Sequence, residues 1–226
     1  MMPNPVRLFH ITAIENLAAI CQRGALVSKN QGAAQGINYQ NIAHVGAQNA
    51  RAGKPVPNPP GGNIHDFVPF YFAPRSPMLF TINNGNVTGC SLQQADILYF
   101  ETTVESVTAN TAEFVFYDRN ATLRYSEAFN DLSLLSSKIA WNLITEQPQL
   151  DGYCKYFANN FSNEKYADRM ELRQAEFLVK NTVALSTITR IGVINQAKAE
   201  SVCEILVASG VNLPVEVKTD WYFLGQ

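Results

Sequence analysis

The sequence predicts an α+β fold in a single domain, and three observations carry that expectation. Apolar and aromatic runs of strand length recur along the chain, the clearest being residues 97–104, 114–117 and 173–180. Ile14, Leu17, Ala18 and Cys21 fall at helical spacing, as do the apolar positions of 197–206. With 226 residues and 46% hydrophobic composition, the chain can bury one good core.

Composition narrows the classes. A formal net charge of −2 argues against coating duplex DNA by sheer positive charge, while leaving room for a local basic groove. Cys21, Cys90, Cys154 and Cys203 are scattered, with no CxxC and no nearby histidine cluster. They read as reduced, mostly buried thiols, not as a metal site or a disulfide framework. The opening MMPNPVRLFHIT has no signal-peptide run, and no stretch approaches the roughly 20 apolar residues of a membrane span. The expectation is a soluble, cytoplasmic protein with no membrane partner.

Taken in order, residues 7–12 read as a first strand, followed by a helix that Gly24 stops. His10 then lies at a strand end just ahead of a helix N-terminus, either as a structural hydrogen-bond partner or as a ligand contact. Residues 29–60 are rich in Gln, Asn, Ala and Gly, with one weakly helical patch at 41–52; loops this long are usually lids or binding loops. Arg51 and Lys54 precede the proline-rich 55–60, either as a solvated surface pair or as part of a site.

The stretch GGNIHDFVPFYFAPRSPM, residues 61–78, organises the rest. Phe67, Phe70, Tyr71 and Phe72 favour a strand, but Pro69 lacks the N–H of a central ladder position. A loop running into a short strand is expected, with Tyr71 on one face. Polar His65, Asp66, Arg75 and Ser76 beside these aromatics point to a functional site.

Beyond Met78 a helix begins, then a turn at 83–86, and strands at 97–104 and 114–117. Residues 127–143 carry helical spacing. From 145 to 171, Tyr153, Tyr156, Phe157, Phe161 and Tyr166 interleave with Lys155, Lys165 and Arg169. Rings that stack on bases beside cations that meet phosphate suit a single-stranded nucleic acid groove; a satellite core would look the same. In the strand 173–180, Glu176 shares a face with Leu178, and a carboxylate there is costly without a partner or a task. A strand at 189–193, a helix at 197–206 ended by Gly210, and a strand at 215–218 close the fold. No P-loop, GxGxxG or GxSxG occurs.

FHIT, the 61–78 block, FVFYDR, RQAEFLV and the terminal DWYF together resemble the DarT toxins, DNA ADP-ribosyltransferases of bacterial toxin–antitoxin pairs. The resemblance runs over nearly the whole chain. It implies a mono-ADP-ribosyltransferase-like split β-sandwich with flanking helices and a helical or loop insertion, clasping NAD in a cleft between two small sheets. It also implies one domain over 1–226, with 29–60 covering NAD and 125–172 recognising the target. The implied catalytic residues are Glu176 and Arg51. His10, Ile11, Thr12, Asn16, Gly24, Tyr71 and Met78 form the implied NAD-binding set, and Arg75, Asn120, Tyr153 and Lys155 the DNA-binding set. NAD enters as a substrate, no metal is required, and single-stranded DNA and an antitoxin protein are the partners. In thymidine-modifying relatives the FVFxDR turn is followed by histidine; Asn120 stands here, which leaves thymidine and guanosine both open.

The residues fit that chemistry. ADP-ribosyl transfer breaks a glycosidic bond through an oxocarbenium-like state, which a carboxylate at Glu176 stabilises. Tyr71 suits stacking on nicotinamide, and Arg51, which stays protonated, suits a phosphate or an anionic base. The target base must be unpaired to be reached. Rival readings keep NAD but transfer to RNA, protein or water, or discard catalysis for a single-strand-binding module.

Overall fold

The structure, a computed structural model, describes residues 1–37, 39–43, 45–87, 91–109 and 113–224, with Val45 described in its backbone only. Cys90 lies outside the described residues. In chain order the strands are β1 (Arg7–Ala13), β2 (Ala25–Val27), β3 (Phe67–Tyr71), β4 (Ile97–Thr103), β5 (Phe114–Tyr117) and β6 (Ala128–Phe129), then β7 (Gln149–Leu150), β8 (Tyr153–Cys154), β9 (Glu176–Lys180), β10 (Thr182–Ala184), β11 (Arg190–Val193) and β12 (Val215–Val217). Eight of them form one sheet in the order β12-β11-β4-β1-β3-β9-β5-β6, while β2 pairs with β10 and β7 with β8.

That sheet is two four-stranded halves joined at a single register pair. β1 runs alongside β4 for its whole length, from Arg7↔Thr103 to Ala13↔Ile97. Against β3 it pairs only at Phe9↔Tyr71. Pro69 explains the separation. The N and C=O of one strand residue point the same way, and the Pro69 carbonyl meets His10 Nδ1 at 2.8 Å. Its missing N–H therefore also faces β1, where a continuous ladder would need a donor. The split of the sandwich is written into the strand itself.

The helices are α1 (Leu17–Arg23), α2 (Lys29–Ala34), α3 (Val45–Ala52), α4 (Pro77–Asn83), α5 (Val104–Thr108), α6 (Leu135–Lys138), α7 (Trp141–Ile144), α8 (Arg169–Leu172) and α9 (Gln196–Ala208). α1 ends where expected, on Gly24 with φ 65°. α2 was not expected; the Ser28 hydroxyl caps it by accepting from Gln31 N at 3.3 Å. The single helix expected over 127–143 is replaced by β6, a 3₁₀ turn at Leu132–Leu134, α6 and α7. Asp131 caps that turn through Ser133 N, and Ile139 leaves the helical region at ψ 134°. Strand β9 begins at Glu176, later than the expected residue 173, because 169–172 coil into α8.

Buried aromatics line both faces of the sheet, Phe9, Tyr99 and Tyr117 on one and Phe70, Phe100, Phe116 and Phe177 on the other. Trp221 lies edge-on to Phe9, with centroids 5.1 Å apart, and also meets Tyr99. It crosses the backbone of Gly192 so closely that a Cβ there would fall 2.1 Å from its ring. A smaller cluster of Val56, Ile64, Phe67, Val115, Tyr117, Ala121 and Leu178 covers the face of β3, β9 and β5 that carries Glu176. Among the described residues, Cys21 and Cys154 are free and buried and Cys203 is free and exposed. No helix among them is long and apolar enough to cross a membrane.

Candidate active site

Glu176 opens β9 and stands in register with Tyr71 of β3 on one side and Tyr117 of β5 on the other. Directly opposed strand residues share a face, so two phenols flank one carboxylate. Glu176 is 0% exposed. Its Oε1 accepts from Arg51 Nη1 at 3.1 Å and from the Ala121 backbone N–H at 3.1 Å. Oε2 lies 2.9 Å from Arg51 Nη2, yet receives no directed hydrogen bond among the described residues. That edge of the acid keeps accepting capacity for another hydroxyl.

Arg51 comes from α3, in the segment expected to cover the cleft. Burial works against its charge, but the adjacent Glu176 carboxylate outweighs that and holds its pKa above the usual value. Burial and the same carboxylate push the Tyr71 phenol up, and raise Tyr117 to about 12. Both tyrosines are neutral donors at physiological pH. Lys54 swings away from Glu176 and donates to the Leu123 carbonyl at 2.5 Å.

His10 stands where β1 leaves β3. A carbonyl can only accept, so the contact with Pro69 fixes the proton on Nδ1 and leaves Nε2 as an acceptor. Burial lowers the His10 pKa, and the imidazole is neutral.

Two cavities run along the split, of about 220 and 450 Å³. They share His10, Ile11, Gln48, Arg51, Pro69 and Met78 as walls, forming one continuous cleft. Tyr71, Asn120 and Thr122 border the smaller part; Thr12, Asn16, Tyr39 and His65 border the larger. Buried polar atoms without a hydrogen bond among the described residues include Tyr39 Oη and His65 Nε2 at the wall of the larger part, and Glu176 Oε2 and Tyr117 Oη behind the smaller. An elongated, polar dinucleotide fits such a cleft, as an apolar ligand would not.

The structure therefore gathers His10, Ile11, Thr12, Asn16, Arg51, Tyr71, Met78 and Asn120 around the cleft, while Glu176 lines neither part and lies behind the Arg51 and Tyr71 that do. Asn16 also pins the covering segment, since it donates to Gln40 O at 3.0 Å and accepts from Gln40 N at 2.8 Å. Gly24 is not brought to the cleft. It is the exposed cap of α1, and its carbonyl accepts from Leu185 N at 2.8 Å.

The expected DNA contacts divide. Asn120 stays at the cleft, with Nδ2 3.3 Å from Gln174 Oε1. Arg75 and Tyr153 are interior residues, at 1% and 2% exposure, and neither forms an open surface. Arg75 donates to the carbonyls of Asp220, Tyr153 and Cys154, tying three segments together. Tyr153 packs edge-on to Phe9 with centroids 5.4 Å apart. Lys155 borders a separate cavity that Arg75 also reaches. Among the described residues there is no group of His, Cys, Asp and Glu arranged to hold a metal ion.

Four groups at the site escaped the sequence reading: Tyr117, Gln48, Tyr39 and the Ala121 N–H. Only Tyr117 carried a usable signal, since it ends a strand whose partner begins with the acid.

A family model described as DarT, ssDNA thymidine ADP-ribosyltransferase, matches residues 9–223. A DNA ADP-ribosyl transferase of Thermus aquaticus is 35% identical over 227 residues, spanning 98% of this chain and 90% of that one. The solved structure of Thermus sp. 2.9 DarT in complex with ADP-ribosylated ssDNA is similar at TM-score 0.86 and 33% identity, over 99% of each chain. The complex of the same protein with NAD+ is similar at TM-score 0.81 and 32% identity, over 99% of this chain and 100% of that one. The chain belongs to the DarT family of single-stranded DNA thymidine ADP-ribosyltransferases.

Proposed function

We propose that the protein transfers ADP-ribose from NAD to a nucleobase of single-stranded DNA, as the toxin of a toxin–antitoxin pair. The observation that carries the reading is the buried Glu176, flanked by two tyrosines and clamped by Arg51, with Arg51 and Tyr71 walling the cleft in front of it. NAD supplies the ADP-ribosyl group, and nicotinamide is the leaving group. The bond from the ribose C1′ to nicotinamide breaks, one from C1′ to the base forms, and the displaced proton passes to Glu176 or water.

Each residue has a task in that exchange. Glu176 sets fixed negative charge beside the carbon that becomes electron-poor, a contribution larger in the transition state than before it. Its free Oε2 accepts a ribose hydroxyl. Neutral His10 accepts from ribose through Nε2, and Tyr71 stacks on nicotinamide while Met78 lines the opposite wall. Ile11, Thr12 and Asn16 shape the path to the larger cavity. Arg51, a permanent cation, pairs with Glu176 and meets an anionic phosphate or base. Segment 29–60 covers NAD, and 125–172 meets the DNA.

Thymidine, the base in the family's description, is the assigned acceptor. Asn120, in place of the histidine of thymidine-modifying relatives, supports guanosine as the second reading. Mass spectrometry of oligonucleotides varied one base at a time, incubated with NAD, decides between them. A gain of one ADP-ribose that follows thymine supports the first, and one that follows guanine the second. Transfer to RNA or protein, or hydrolysis of NAD alone, overturns both. A neutralising antitoxin protein and a cytoplasmic location belong to the same proposal.

A further inference from the structure

The helix α4 has a cavity on each side. Pro77, Met78 and Thr81 face the cleft, whereas Phe80 borders a separate cavity of about 540 Å³. Cations and aromatics wall this second space, among them Arg75, Lys155, Tyr156, Tyr166 and Arg169. Arg169 lies flat on Tyr166, with its guanidinium carbon 4.0 Å from the ring centroid, and 5.7 Å from that of Tyr156. Its one carboxylate, Glu146, is 3.7 Å away and is shared with Lys165.

Behind this wall stand two further cations without an ion pair among the described residues, Arg75 feeling the Asp220 and Asp151 carboxylates only at a distance. Arg75 and Arg173 are both buried and both donate to the Cys154 carbonyl at 2.8 Å. Their other acceptors are also backbone carbonyls, and neither is within an ion pair among the described residues. The Nε atoms of Arg75, Arg169 and Arg173 are buried without partners there. Burial, with Arg75 and Arg169 as neighbours, pushes the Arg173 pKa down to about 10. Desolvated like charges of this kind are costly until an anion arrives. At the mouth, Tyr156 is 49% exposed.

We propose that this cavity is a second nucleotide site, which holds the nucleotide of single-stranded DNA next to the one that is modified. Its phosphate meets Lys155 and Arg169, backed by the field of Arg75 and Arg173, and its base stacks on Tyr156. The position suits an adjacent nucleotide. Arg173 is three residues from Glu176, at most about 11 Å of extended chain, and α4 is the common wall. The inference rests on the proposed transfer to DNA.

The test uses the full chain, a fluorescein-labelled single-stranded oligonucleotide containing the target base, and copies with an abasic site at each other position in turn. Tyr156→Ala is expected to weaken binding about tenfold, and one abasic position to do the same. Combined, the two cost no more than either alone, because they remove the two halves of one contact. Lys155→Gln is expected to lower the salt dependence by about 0.7 in slope, one phosphate contact. Parent affinity in Tyr156→Ala, losses that multiply, or an unchanged salt slope overturns the second site. Where the parent protein still adds ADP-ribose to the oligonucleotide, only the second site falls. Where no DNA gains mass, the reading beneath it falls too.

Discussion

Arg51 and Glu176, 125 residues apart in sequence, meet through both oxygens of the acid at 3.1 and 2.9 Å. Neither group makes sense alone. A guanidinium carried by α3 reaches the first residue of β9, tying a wall of the cleft to the strand behind it.

Glu176→Gln keeps size but removes the charge and replaces one of the two accepting oxygens with an NH2 donor. Transfer is expected to fall by about 10²–10³, as for loss of one electrostatic contact made in the transition state. NAD binding should change little. Oligonucleotide mass after timed incubation and calorimetric NAD titration check the pair; transfer at the parental rate would remove Glu176 from the mechanism.

Arg51→Ala leaves a buried carboxylate without its cation, which costs about 3–5 kcal/mol of stability. Activity should drop further than that loss explains, by about 100-fold or more. Arg51→Lys restores charge without the two-pronged geometry and is expected to fall between. Urea denaturation alongside transfer rates measures both. Equal activity in Ala and parent would return Arg51 to the role of a structural clamp.

Stability should decline in mild acid. His65 is pushed from 6.5 down to about 4 by burial first, and then by Lys29 and Arg51. Below about pH 6.5 the unfolded chain takes up a proton that the folded one refuses until about pH 4. The contribution is therefore complete above 6.5 and lost as pH falls through that window. His10, lowered by burial, acts in the same direction. His65→Gln should flatten the decline by about 1–2 kcal/mol between pH 7 and 4.5. Denaturation midpoints at the two pH values read it directly, and parallel curves for parent and variant would contradict it.

Gly192→Ala would place a methyl group 2.1 Å from the Trp221 ring. Trp221 is wedged against Phe9 and Tyr99 and donates to Asp151 Oδ2 at 2.7 Å, so it has nowhere to retreat. A loss of about 1–3 kcal/mol is expected from overpacking. Thermal unfolding checks this, and an unchanged midpoint would show that the C-terminal segment can shift.

The parts of this fold legible in the sequence are those governed by local rules. Strands β4 and β5, Gly24 at the end of α1, and Pro69 as an impediment to a continuous ladder follow from propensity and backbone chemistry. Glu176 stood out because a carboxylate inside an apolar strand demands a reason. Other features depend on distant neighbours. Arg75 looks like a surface cation beside an aromatic strand, yet its carbonyl partners lie 78, 79 and 145 residues away. Tyr153 reads as a stacking ring until Phe9 and Arg7 close over it. The spacing of 127–143 is helical, but Asp131 and Ile139 break it once the chain must pair β6 with β5.

Pro69 carries a consequence for how a long, narrow molecule gains entry. No rearrangement of surrounding loops can supply a donor that the residue lacks, so the two halves of the sheet cannot zip together in the absence of guests. The gap needs no hinge to hold it ajar. One imino acid preserves the doorway.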